Sequence, residues 1–204
     1  MDDGLKLTDF GYLDWGPITL ALPVGEIGGL SGASGSGKSL LLRATADLIE
    51  STGELCWREL RCIDIPAPQW RQRVGLLPAN PVWWFDHVGQ HFHGNVTQWL
   101  TRLGFEADVL KWEVGRLSSG EKQRLALVRL FDRNPECLLL DEPTANLDDA
   151  SAERVVAAIR DYLEEAGAIR AVLLVSHDGA LLNQISARQW RMKGHQLQPF
   201  EPAS

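Results

Sequence analysis

The feature that most restricts this chain is the run Gly32-Ala33-Ser34-Gly35-Ser36-Gly37-Lys38-Ser39, which fits G-x-x-x-x-G-K-[ST]. It lies between residues 26–30, which read as a buried strand, and residues 37–49, which read as a helix. Glycines let the backbone turn tightly enough for successive amides to face one anion, and the following helix turns its positive end to the same point. A phosphate cradle is therefore predicted from Gly32 to Gly37. Lys38 is expected to meet the β- and γ-phosphates of a nucleotide, and the Ser39 hydroxyl to bind magnesium.

Around the loop, short apolar runs at 74–77, 136–140 and 170–175 alternate with amphipathic stretches. The clearest of these is 149–165, where Val155, Val156, Ile159 and Leu163 repeat at helical spacing. This alternation predicts an α/β fold with a largely parallel sheet flanked by helices. Residues 89–115 differ: they hold no strong strand, one helix candidate at 96–103, and the aromatics Phe92, Trp99, Phe105 and Trp112. They read as a small inserted helical subdomain. With 204 residues, 45% hydrophobic and 23% charged, one domain over 1–204 is expected, its core at about 1–80 and 133–204 and its lobe at about 81–132.

A second constellation follows. Cys137-Leu138-Leu139-Leu140-Asp141-Glu142 is an apolar strand ending in two carboxylates, and beside a phosphate loop such a strand sets its acid next to magnesium. Asp141 is the candidate for the metal. Glu142, one residue on and pointing differently, is placed to orient and polarise an attacking water.

Composition narrows the setting. Apolar stretches such as 137–140 and 171–175 fall far short of the roughly 20 residues that cross a bilayer as a helix. The first residues lack the basic start and apolar core of a secretory signal, so a cytoplasmic location is expected. A net charge of -7 argues against a nucleic-acid surface. Cys56, Cys62 and Cys137 lack the paired spacing of zinc sites and read as reduced, structural thiols.

Three further segments make the pattern specific: Leu117-Ser118-Ser119-Gly120-Glu121-Lys122-Gln123-Arg124 before a helix, Asp141-Glu142-Pro143-Thr144-Ala145-Asn146-Leu147-Asp148, and Ser176-His177-Asp178 after a strand. With the phosphate loop, in this order and spacing, they resemble the ATP-binding cassette family of P-loop NTPases over about residues 5–197. The resemblance implies an N-terminal antiparallel β portion beside the parallel sheet. It also implies an ATP- and magnesium-dependent ATPase subunit that pairs, as a homodimer or a cassette heterodimer, and drives integral-membrane permease chains from the inner face of the membrane. In such a pair the signature loop of one subunit closes on the γ-phosphate held by the other. Ser118 and the Gly120 amide, at the positive end of the helix over 121–132, suit that task. By the same resemblance Asp148 lies in the loop that crosses the interface, His177 contacts the γ-phosphate, and Tyr12 stacks on adenine, with Trp15 as its rival.

This chain departs from the family pattern at three places. Ala79 stands where a glutamine usually touches magnesium and water, with Asn80 adjacent. Ser119 replaces a usual glycine, and Leu40 replaces a second hydroxyl near the α-phosphate. Two other readings stay open: a non-transport member of the family, and a nucleotide-binding regulatory module that barely hydrolyses ATP. A P-loop kinase would need neither the signature loop nor the switch histidine. His87, His91 and His93 read as packing of the lobe rather than metal ligands. Trp83, Trp84 and Phe85 divide evenly between a partner surface and internal packing.

Overall fold

A strand that is apolar at every position needs cover on both faces. In the computed structural model of the chain, which describes residues 4–165 and 167–200, Cys137–Asp141 has that cover. Leu138 and Leu140 enter one buried cluster, and Cys137 and Leu139 another, as the two-residue period of a strand requires. Ala171–Val175 divides in the same way: Val172 and Leu174 enter the first cluster, Ala171, Leu173 and Val175 the second.

In chain order the strands are β1 (Gly4–Tyr12), β2 (Trp15–Pro23), β3 (Ile27–Gly32), β4 (Thr52–Trp57), β5 (Leu60–Arg61), β6 (Val74–Leu77), β7 (Cys137–Asp141), β8 (Ala171–Val175), β9 (Arg188–Lys193) and β10 (Gln196–Pro199). The α-helices are α1 (Lys38–Thr45), α2 (Ala67–Arg73), α3 (Thr97–Arg102), α4 (Ser119–Asp132), α5 (Asp149–Leu163) and α6 (Gly179–Ile185). One sheet has the order β10-β9-β3-β8-β7-β6, parallel from β9 to β6 with β10 antiparallel at the edge. A second, antiparallel sheet has the order β2-β1-β4-β5. The four strands predicted from apolar runs are β3, β6, β7 and β8, which lie side by side. β9 and β10 are additional, and only Trp190 and Met192, alternating inward in β9, mark them in the sequence.

Between β6 and β7 the chain leaves the sheet through short 3-10 turns and the helices α3 and α4. A ring column ties these helices back: Trp99 of α3 lies 4.7 Å from Phe131 of α4, which stacks 4.4 Å from Tyr162 of α5. Arg170 completes the column, its guanidinium 3.7 Å from the Tyr162 ring and bonded to the Tyr162 and Asn134 oxygens. Because β3, β6, β7 and β8 are parallel, their C-terminal ends share one edge of the sheet. Ligand sites of open α/β sheets form at that edge.

Candidate active site

Four strand ends meet at a cleft of about 240 Å³ lined by residues 34–40, Ala79, Asp141, Glu142 and His177. Ser34, Gly35, Ser36, Gly37, Lys38, Ser39 and Leu40 come from the loop after β3. Asp141 ends β7, and His177 follows β8. Gly37 precedes α1 with φ of +89°, a left-handed conformation that favours glycine, and a Cβ there would fall 2.8 Å from the Trp15 ring. No side chain caps α1, so its first amides are left for an anion.

Lys38 is 6% exposed, and its Nζ donates to Gly32 O at 2.8 Å, Ala33 O at 2.9 Å and Ser36 Oγ at 3.4 Å. The ammonium is thus held inside the loop. Burial lowers its pKa, while Glu142 and Asp141 pull it back up. The cleft therefore opposes this one buried cation with two carboxylates.

Glu142 has φ of +52°, rare for a side-chain-bearing residue, and its amide donates to Val175 O at 3.0 Å. Its Oε2 accepts from the His177 amide at 3.3 Å, and its Oε1 lies 3.4 Å from His177 Nε2. Oε1 is buried without a hydrogen bond. Burial raises the carboxyl pKa and Asp141 adds to the rise, against the pull of His177 and Lys38. A carboxylate with a buried, unshared lone pair and a raised pKa is suited to take a proton from water. Asp141, 6% exposed, and the Ser39 hydroxyl supply hard oxygens of the kind magnesium prefers, and magnesium needs few protein ligands because waters and phosphates fill the rest.

Ser118, Gly120 and Asp148 lie outside the lining of this cleft. They form a patch of their own, in which a Cβ on Gly120 would meet Leu147 at 2.9 Å. Ser118 Oγ accepts from the Glu121 amide at 3.2 Å, and Glu121 Oε2 accepts in return from the Ser118 amide at 2.8 Å. This capping box leaves the Ser118 hydroxyl proton free to donate outward. Asp148 caps α5 through the Ser151 amide at 2.9 Å, and that bond holds its pKa below the usual carboxylate value.

The expectation for Tyr12 needs correction. Its ring is 2% exposed within the second core cluster, and its hydroxyl donates to Gly37 O at 3.3 Å, so it supports the phosphate loop from beneath and has no face for a base. The half-buried Trp15 lies outside it, 6.4 Å away and nearly parallel, and carries His195 at 3.9 Å on its ring. His195 was not singled out from sequence; the turn at Gly194 between two short strands is its one local signal.

Ala79 lines the cleft and Asn80 does not. Ala79→Gln is therefore expected to raise ATP turnover about tenfold, or about 1.4 kcal/mol, by adding one positioning contact for water. Turnover at saturating ATP, with Asn80→Ala beside it, checks this; a large loss in Asn80→Ala without a gain in Ala79→Gln would assign the role to Asn80. His91 is buried in the 3-10 turn Val88–His91, where its Nε2 accepts from the amides of Trp84 and Phe85. That nitrogen is not open to a metal ion.

The ABC transporter family matches residues 16–145. The lipoprotein-releasing system ATP-binding protein LolD of Maricaulis maris is 34% identical over 207 residues, covering 91% of this chain and 88% of the relative. The probable iron export ATP-binding protein FetA of Escherichia coli is 31% identical over 200 residues, covering 88% of this chain and 87% of the relative. In fold, the dimeric ATP-binding cassette MJ0796, bound to ADP and Pi after hydrolysis, matches with a TM-score of 0.79 at 20% identity, over 98% of this chain and 100% of that chain. The phosphate loop, the paired acids and the signature segment thus stand in a chain that belongs to the ABC transporter family, as one of its ATP-binding, ATP-hydrolysing cassettes.

Proposed function

We propose that two copies of this chain, or one copy and a related cassette, close on ATP and magnesium and pass that closure to separate membrane-spanning partner chains. The observation that carries the reading is a separation. Lys38, Ser39, Asp141, Glu142 and His177 share one cleft, while Ser118, Gly120 and Asp148 occupy another patch of the same chain. A second subunit that brings its own Ser118 and Gly120 would complete the phosphate site. Gly32, Ala33, Ser34, Gly35, Ser36 and Gly37 would cradle the phosphates with their amides, and the base would meet the Trp15–His195 stack. Ser39 and Asp141 would hold magnesium, which neutralises phosphate charge when bound. Glu142 takes the proton of the attacking water, and His177 holds that carboxylate in place.

No helix among the described residues is long and apolar enough to cross a membrane. Membrane association therefore falls to a partner, in line with the names of LolD and FetA, ATP-binding proteins of a lipoprotein-releasing system and of probable iron export. Ala79 favours a second reading, a cassette that binds ATP and turns it over slowly. Turnover with and without magnesium, with light scattering alongside, tests both. We expect magnesium-dependent turnover, with a dimer that builds up on ATP once hydrolysis is blocked in Glu142→Gln. Tight ATP binding with negligible turnover would favour the second reading, and a monomer of Glu142→Gln at saturating ATP would remove the shared site.

A further inference from the structure

With Tyr12 buried, Trp15 is the aromatic residue left to face a base, yet neither face of its ring is open. A Cβ on Gly37 would fall 2.9, 2.8 and 2.9 Å from three successive ring atoms of Trp15, Cδ2, Cε3 and Cζ3. Near-equal distances to three neighbouring atoms place it over the ring rather than beside an edge, so the Gly37 backbone covers one face. The His195 imidazole lies 3.9 Å from the Trp15 ring centre and within 16° of parallel, which covers a face as well. Two groups this close cannot share a side. Gly37, Trp15 and His195 therefore form a column that stands on the phosphate loop, and its outer end is the far face of His195, an exposed residue.

His195 is held there as part of the frame. β9 ends at Lys193 and β10 begins at Gln196, its register partner, so Gly194 and His195 make a two-residue hairpin loop. Both have positive φ, +53° and +66°, as the twist of the tightest hairpin loops requires. The His195 carbonyl accepts from the Gly16 amide at 3.1 Å. Its Nδ1 lies 3.0 Å from Asp14 O, a carbonyl that can only accept, so Nδ1 carries a proton and donates it. Backbone and ring are thus both tied to the residues on either side of Trp15. An imidazole fixed in this way is a preformed platform rather than a plug that a ligand must first push aside. A left-handed backbone at a side-chain-bearing residue persists where surrounding contacts hold it, and here they hold one ring face outward.

We propose that His195 is the residue on which the base of the bound nucleotide stacks, with Trp15 as the layer beneath it. The assignment rests on the reading of residues 34–40 as the phosphate site. It moves base binding from the turn between β1 and β2, where the family resemblance puts it on Tyr12 or Trp15, to the β9–β10 hairpin near the other end of the chain. Every base has a π-face, so a contact of this kind adds affinity for the nucleoside and none for the phosphates.

The test separates the ring from its tether. His195→Phe keeps an aromatic face and loses the donor to Asp14 O, whereas His195→Asn keeps a donor and loses the ring. The parent chain and both variants are titrated by calorimetry with ATP and with inorganic tripolyphosphate, which carries phosphates and no base. Magnesium is left out so that no hydrolysis intervenes. We expect His195→Asn to bind ATP about tenfold more weakly than the parent, and His195→Phe to stay within about threefold of it. Tripolyphosphate should bind all three alike. An unchanged or higher ATP affinity in His195→Asn, an equal loss in His195→Phe, or a matching loss for tripolyphosphate would each overturn the proposal. A parent chain that binds tripolyphosphate as tightly as ATP would overturn it too and leave the phosphate site standing, while one that binds neither ligand loses both readings.

Discussion

Glu142→Gln is expected to keep ATP binding and to lower turnover by roughly 10²–10⁴-fold, the range for removing a general base. The amide keeps the size of the side chain and an oxygen for the His177 amide, so the cleft keeps its shape. It cannot take a proton. With hydrolysis blocked, the closed dimer should accumulate with ATP and magnesium, while the parent chain returns to monomer. Phosphate release and light scattering read the two effects separately, and undiminished turnover by a monomer would overturn both roles. Turnover of the parent chain should also depend on pH in a set direction. Only the ionised carboxylate accepts a proton, and burial raises its pKa above the ordinary 4.5. Activity is therefore full above the raised pKa and lost as pH falls through it, starting at a higher pH than an ordinary glutamate would allow.

Lys38→Ala should weaken ATP binding by about a hundredfold or more, near 3 kcal/mol, because the variant removes the one buried cation of the cleft and leaves Asp141 and Glu142 facing the phosphates. Calorimetry of ATP binding checks this, and unchanged affinity would remove the phosphate-cradle assignment. Folding should survive the change. The ammonium is bonded to Gly32 O, Ala33 O and Ser36 Oγ, all within residues 32–36. Losing it frees loop carbonyls at a solvated edge and leaves both core clusters intact.

The site was legible where backbone geometry dictates residue type. Gly37 adopts a positive φ beside Trp15 and Asp141 ends an apolar strand, so the glycine spacing and the apolar run located these two, while Ser118, which caps α4, was reached through the family resemblance. The apolar runs that became β3, β6, β7 and β8 were equally plain, because strands covered on both faces read as near-continuous apolar runs. The aromatic residue for the base was not legible. Whether Tyr12 or Trp15 is covered depends on the hairpin between them and on His195, which bonds Asp14 O from 181 positions away. β9 and β10 escaped for a related reason: only Trp190 and Met192 are buried in the pair, so neither strand carries an apolar run. The loop held by His91 was half visible as the aromatic run Trp83-Trp84-Phe85. Its firmness comes from one imidazole that accepts two amides, and no spacing rule describes that contact.

The backbone at Glu142 has a consequence beyond chemistry. A side-chain-bearing residue in the left-handed region costs of order 1–3 kcal/mol, and Pro143 adds its own restriction on the residue before it. Glycine would sit there without strain, and asparagine with less. Selection for a sturdier protein and selection for a working one therefore pull in opposite directions at this codon. A copy of the gene released from its catalytic duty would gain stability by a change to glycine at this position, which also ends hydrolysis, and the return to glutamate would bring the strain back.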